Sequence, residues 1–164
     1  GITDAMTERQ VRGMKLFDSV GCVECHSGPA FNGWAAGSTE TLFREFPRFT
    51  NSPLVAKYKL DADPGRSAVT KNDDDQHHFK TPTLRNISLT SPYFHNGAVE
   101  SLFDTVRVMA ITQLDTELSD AQVADIVTFM AALEGEFPEI RLPRIPSLPG
   151  ETILKDQRPA AAEH

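Results

Sequence analysis

The sequence predicts an all-α domain with long irregular loops, and three observations carry that prediction. Apolar residues recur at helical spacing in three segments, each opened by a capping residue. From Gly28 to about His78 the chain shows scattered Gly, Pro, Asn and Asp with no sustained period. Beyond Gly135, the residues Pro138, Pro143, Pro146 and Pro149 forbid helix and favour an extended strap. With 164 residues, one domain is expected. Residues 1–6 read as an arm, 7–135 as the folded domain and 136–164 as the strap and tail.

The first helix is expected from Thr7 to Ser19. Thr7 and Gln10 form a capping-box pattern, and Val11, Met14, Phe17 and Val20 fall on one face. The unpatterned stretch that follows is unusual in a compact domain unless a large ligand supplies the core that helices and strands do not. A short helix is expected from Ser101 to about Met109, capped by Ser101 with Asp104 three residues on, and burying Leu102, Phe103 and Val106. The strongest helical pattern begins at Ser119 with Gln122. There Val123, Ile126, Val127, Met130 and Leu133 make an apolar face before Gly135 stops it. No internal repeat is present.

Apolar residues make up 40% and charged residues 24% of the chain, the balance of a soluble globular protein. Lys and Arg number 16 against 23 Asp and Glu, a formal charge of -7, which argues against a nucleic-acid partner. An acidic surface suits docking on a basic patch of another protein, although modest negative charge more often serves solubility alone. No apolar run approaches the roughly 18 residues of a membrane span. The stretch Gly1 to Thr7 does not look like a signal peptide.

Both cysteines fall in Cys22-Val23-Glu24-Cys25-His26, the C-x-x-C-H pattern of covalent c-type haem attachment. Two thiols three positions apart can each form a thioether to one of the two vinyl groups of a single haem, and the adjacent His26 then meets the iron from the proximal face. A redox dithiol would need no histidine and would want a βαβ setting. A zinc site would need about four ligands, for which only scattered histidines remain. One covalently attached haem is therefore expected.

The sixth ligand decides whether such an iron carries electrons or binds a small molecule. Met14 and Met130 lie on apolar helix faces and read as core, and Met6 precedes the folded segment. Met109, placed at a helix end ahead of the loop from Ala110 to Leu118, is favoured over His95. His77 and His78 adjoin Asp73 to Asp75 and read as surface residues. Trp34 near the haem motif reads as packing rather than an electron relay.

From Phe79 to Leu102 the chain reads FKTPTLRNISLTSPYFHNGAVESL. It resembles the C-terminal, electron-transfer haem domain of the bacterial dihaem cytochrome c peroxidases and their MauG-like relatives. The resemblance continues through TVRVMAITQL, the last helix and FPEIRLPRIP, and upstream through RGMKLFDSVGCVECHSG, weakening between Phe31 and Asp75. It implies a cytochrome c-like fold and a high-potential haem ligated by histidine and methionine, with Met109 on the methionine position. It also implies main-chain carbonyls of Thr90 and Pro92 as part of a calcium site between two domains. Arg85 and Lys80, in the same string, become candidates to pair with haem propionates, beside the reading that they are ordinary surface charges.

The sequence holds no second C-x-x-C-H, the motif of the family's peroxidatic haem domain. The resemblance therefore implies a periplasmic one-electron carrier that takes electrons from a small donor, a cytochrome c or a cupredoxin, and feeds a peroxidatic haem in a second domain. Taken alone it should be a poor peroxidase, and no catalytic residue is assigned. Homodimerisation stays open. The rival is a self-sufficient peroxide-reducing or gas-binding haem protein whose sixth ligand is displaceable. A third reading, a partner-binding module with a structural haem, ranks last.

Overall fold

Thr7 Oγ1 accepts the Gln10 N–H at 3.2 Å while Gln10 Oε1 accepts the Thr7 N–H at 2.8 Å. This closed capping box starts α1, Glu8–Val20. Gly21, left-handed at φ 101°, ends it and donates to the Asp18 and Phe17 carbonyls. The turn delivers the chain directly into a 3-10 turn at Cys22–Glu24. A second capping box, Ser119 with Gln122, opens the last helix, α5, Asp120–Ala131. Between them α4 runs Leu102–Leu114 behind a Ser101 cap. It thus passes Met109 and continues to Leu114, because Asp115 in the left-handed region, not a breaker near 109, stops it.

The computed structural model describes residues 5–33 and 41–136. Helices α1 and α5 pack against each other most extensively. Their shared core is built from Phe17, Leu84, Val106, Val123, Ile126, Phe129, Met130 and Leu133. A second cluster, Phe46, Val55, Leu60 and Val108, lies on the other flank of α4, with Met109 and Phe79 packed partly against it. Met14 is 40% exposed, against the expectation that it fills the core. Gly13 takes the buried place on that face, since it permits α1 to approach the α5 backbone. Arg9 and Arg12 rim the same contact, 2.8 and 3.4 Å from the Asp125 carboxylate.

The region expected to be irregular carries short elements. α2, Pro53–Tyr58, has Ser52 as cap and Pro53 in its first turn, and α3 is the single turn Ser67–Thr70. β1, Phe43–Glu45, pairs antiparallel with β2, His78–Lys80. The all-α expectation is thereby corrected: the chain is helix-rich with a small two-stranded sheet. Three-residue strands leave no detectable period in sequence. His77 and His78 are half-buried rather than fully exposed. His77 Nδ1 lies 2.9 Å from the Asp63 carbonyl, and His78 belongs to β2. The proline-rich strap and Trp34 lie outside the described residues.

Candidate haem site

The C-terminal turn of α1 and the 3-10 turn behind it set Cys22, Cys25 and His26 on the wall of a cavity of about 520 Å³, within the range of cofactor sites. The His26 N–H donates to the Cys22 carbonyl at 3.0 Å, which draws the motif into one compact turn. Burial pushes the Cys22 thiol up to about 11, and the neighbouring Cys25 adds to the effect. Dithiol redox sites need a stabilised thiolate, which this burial opposes at Cys22.

His26 Nδ1 lies 3.1 Å from the Phe31 carbonyl. With Nδ1–H donating there, Nε2 is free to act as a ligand and the ring orientation is fixed. Burial lowers the His26 pKa, against the opposing pull of the Phe31 and Pro82 carbonyls, and favours the neutral ring that a metal requires. Two further contacts hold the Phe31 loop. Thr83 Oγ1 donates to the Ala30 carbonyl at 2.6 Å, and Arg85 Nε donates to the Pro29 carbonyl at 3.1 Å with its guanidinium over the Phe31 ring.

Met109 and His95 both line the cavity. The His95 ring stacks on Phe79 with centroids 4.2 Å apart and meets Phe46 edge-on at 5.8 Å. Desolvation lowers its pKa, with the Asp63 charge acting the other way. Sequence-predicted Lys80, Thr90 and Pro92 also border the cavity. Arg85 is not among its lining residues, being engaged with the Pro29 carbonyl. Arg44, Phe79 and Gln113 line it without having been singled out by sequence. Only the pairing of two very short strands and the extra turns of α4 bring them there.

A c-type haem fits this donor set. Two thiols and an oriented imidazole border a largely apolar cavity that a thioether and aromatic side chains also line. Among the described residues no cluster of three His, Cys, Asp or Glu side chains could hold a metal ion by itself. No helix among them is long and apolar enough to cross a membrane.

The fold and cavity define a haem-binding redox domain of the cytochrome c kind. No family model matches the chain. It is 37% identical over 152 residues to a cytochrome c551 peroxidase of Nitrosomonas europaea, covering 93% of this chain and 42% of that protein. It is 35% identical over 147 residues to a cytochrome c551 peroxidase of Pseudomonas aeruginosa, covering 90% and 40%. Among solved structures, a MauG-like protein associated with microbial copper homeostasis matches 80% of this chain and 48% of its own with a TM-score of 0.62. At 23% identity that likeness concerns the fold alone. The homologues are bacterial cytochrome c peroxidases and MauG-like dihaem proteins, and the chain corresponds to a domain of that family. It spans about two-fifths of the length of the two peroxidases.

Proposed function

We propose that the chain is a one-electron carrier domain with a single covalent haem, receiving electrons from a small redox protein and passing them to the peroxidatic haem of a second domain. The observation that carries this reading is that Cys22, Cys25, His26 and Met109 border one cavity. When bound, the haem supplies the one-electron couple. Cys22 and Cys25 would anchor it, His26, oriented by the Phe31 carbonyl, would be one iron ligand, and the Met109 thioether would be the other and would favour the reduced form. Phe46, Phe79 and Phe94 give the cavity aromatic walls. Relatives named as peroxidases, more than twice as long as the matched span, support a partner domain carrying the peroxide chemistry. A periplasmic setting accords with covalent haem attachment. Calcium held partly by the Thr90 and Pro92 carbonyls would join the two domains. Whether the domain also pairs with its own copy is a separate question for sizing in solution.

A visible spectrum of the ferric protein tests the ligation. A weak band at the red end is the expected sign of methionine on iron, and its absence removes Met109 from the site. The presence of His95 on the same cavity favours one second reading, in which the sixth ligand differs or yields to a substrate. Rapid Soret shifts on adding peroxide or cyanide would select that self-sufficient peroxidase or gas binder over the carrier.

A further inference from the structure

Successive residues of a strand face opposite sides of its sheet. In the β1–β2 pair, Arg44 and Phe79 are partners, and so are Phe43 and Lys80. Arg44 therefore shares its face with Phe79, and both line the haem cavity. Phe43 looks the other way, beneath the Arg66 guanidinium at 4.4 Å, and lines a separate groove. Phe79 and Lys80 both border the two spaces, but Lys80 stands on the Phe43 side of the sheet, whereas Arg44 lines only the haem cavity.

The backbone carrying Arg44 is fastened to the helix that carries Met109. Gln113, one turn beyond Met109 on α4, donates its Nε2 to the Glu45 carbonyl at 2.9 Å. The N–H groups of Arg48 and Phe49 both donate to the Thr112 carbonyl, at 3.1 and 2.9 Å. Among the described residues the Arg44 guanidinium makes one long bond, 3.4 Å to the adjacent Phe43 carbonyl, and has no carboxylate partner. A planar cation thus borders a mainly apolar cavity with no carboxylate paired to it among the described residues.

We propose that Arg44, rather than Arg85 or Lys80, receives a haem propionate and thereby sets the redox poise of the site. The proposal rests on the reading of this cavity as a haem site. The guanidinium fork matches a carboxylate in a two-bond geometry that a lysine cannot reproduce. It neutralises a negative charge that would otherwise stabilise ferric iron, and it keeps the propionate ionised to low pH. The Gln113 and Thr112 contacts fix the backbone from which this cation projects.

The test is a redox titration of the haem-loaded protein across pH 5 to 8, with a pyridine haemochromogen spectrum taken first on every variant. Arg44→Gln is expected to shift the ferric–ferrous equilibrium about tenfold toward ferric iron, or about 59 mV for one electron. The pH-dependent part of the potential should move upward at the same time, as the propionate pKa rises. Arg44→Lys should recover most of the potential, since it restores the charge without the fork. Arg66→Gln removes the same charge from the other face of the sheet and is expected to leave the pH profile in place. If Arg44→Gln keeps the wild-type potential and profile with covalent haem present, the assignment of Arg44 is overturned while the haem site stands. Absence of a covalent haem spectrum in the wild-type protein would overturn the haem site itself and Arg44 with it.

Discussion

Gly13 of α1 sits directly on the Asp125 carbonyl of α5: a Cβ built on it would lie 1.9 Å from that oxygen and 2.9 Å from the Phe129 Cβ. No real contact tolerates the first distance, and its partner is backbone, so a larger residue must push the helices apart. Gly13→Ala is expected to cost about 3 kcal/mol as overpacking, despite alanine's better helix propensity. A melt followed by circular dichroism should then fall by roughly 6–12 °C, taking about 2–4 °C per kcal/mol for a chain of this size. An unchanged midpoint would mean that the helices do not meet here.

The same crossing gives an acid-sensitive contribution. Hydrogen bonding from Arg9, then Arg12, holds the Asp125 carboxyl below its ordinary 3.8. Because the folded pKa is the lower one, the contribution is present above the ordinary value and lost as the pH falls through the folded value. Asp125→Asn should therefore be less stable than wild type near neutrality, and the two should converge in acid. Added salt should narrow the neutral gap, because the pair is partly solvated. Urea melts at several pH values check both trends.

Met109→Ala is expected to abolish the red-end ferric band and to open the iron to cyanide. His95→Ala should keep that band while losing stability on the order of 1 kcal/mol with its Phe79 stack. The reverse pattern would transfer the sixth position to His95. Ferric spectra of the two variants, with and without cyanide, separate these outcomes.

Thr83 and Arg85 fasten the loop whose Phe31 carbonyl orients His26. Thr83→Val and Arg85→Gln should each cost about 1 kcal/mol, the usual worth of a hydrogen bond of this kind. Because both act on the same few residues, the double variant should lose less than the sum. A double-mutant cycle on denaturant midpoints measures the coupling, and full additivity would show that the loop is held elsewhere.

Much of the helical frame was legible because its signals are local. Thr7 with Gln10 and Ser119 with Gln122 mark two starts, and both boxes form as written. The far end of α4 was not legible, since Asp115 ends it by adopting a left-handed conformation that nothing in its neighbourhood demands. Met14 was misread for a related reason. Periodicity identifies a face but not which residue meets the partner helix, and Gly13 occupies that point. Cys22, Cys25 and His26 stood out through their fixed spacing, and all three line one cavity. Arg44 and Gln113 were not, because two three-residue strands and a helix more than sixty positions away bring them together. Arg85 was legible as a charge in the same string, but its Nε bond to the Pro29 carbonyl, 56 positions away, was not.

The ion pair between Arg9 and Asp125 joins positions 116 apart in the chain. Contacts of such separation are late events in folding, because most of the intervening polypeptide must be in place before they can form. The α1–α5 seam therefore depends on the whole intervening chain. The C-x-x-C-H turn, by contrast, is closed by bonds among its own neighbours, from the Cys25 and His26 N–H groups to the Cys22 carbonyl. The two thiols thus sit on a locally formed turn at the end of a helix whose packing is the most non-local in the fold.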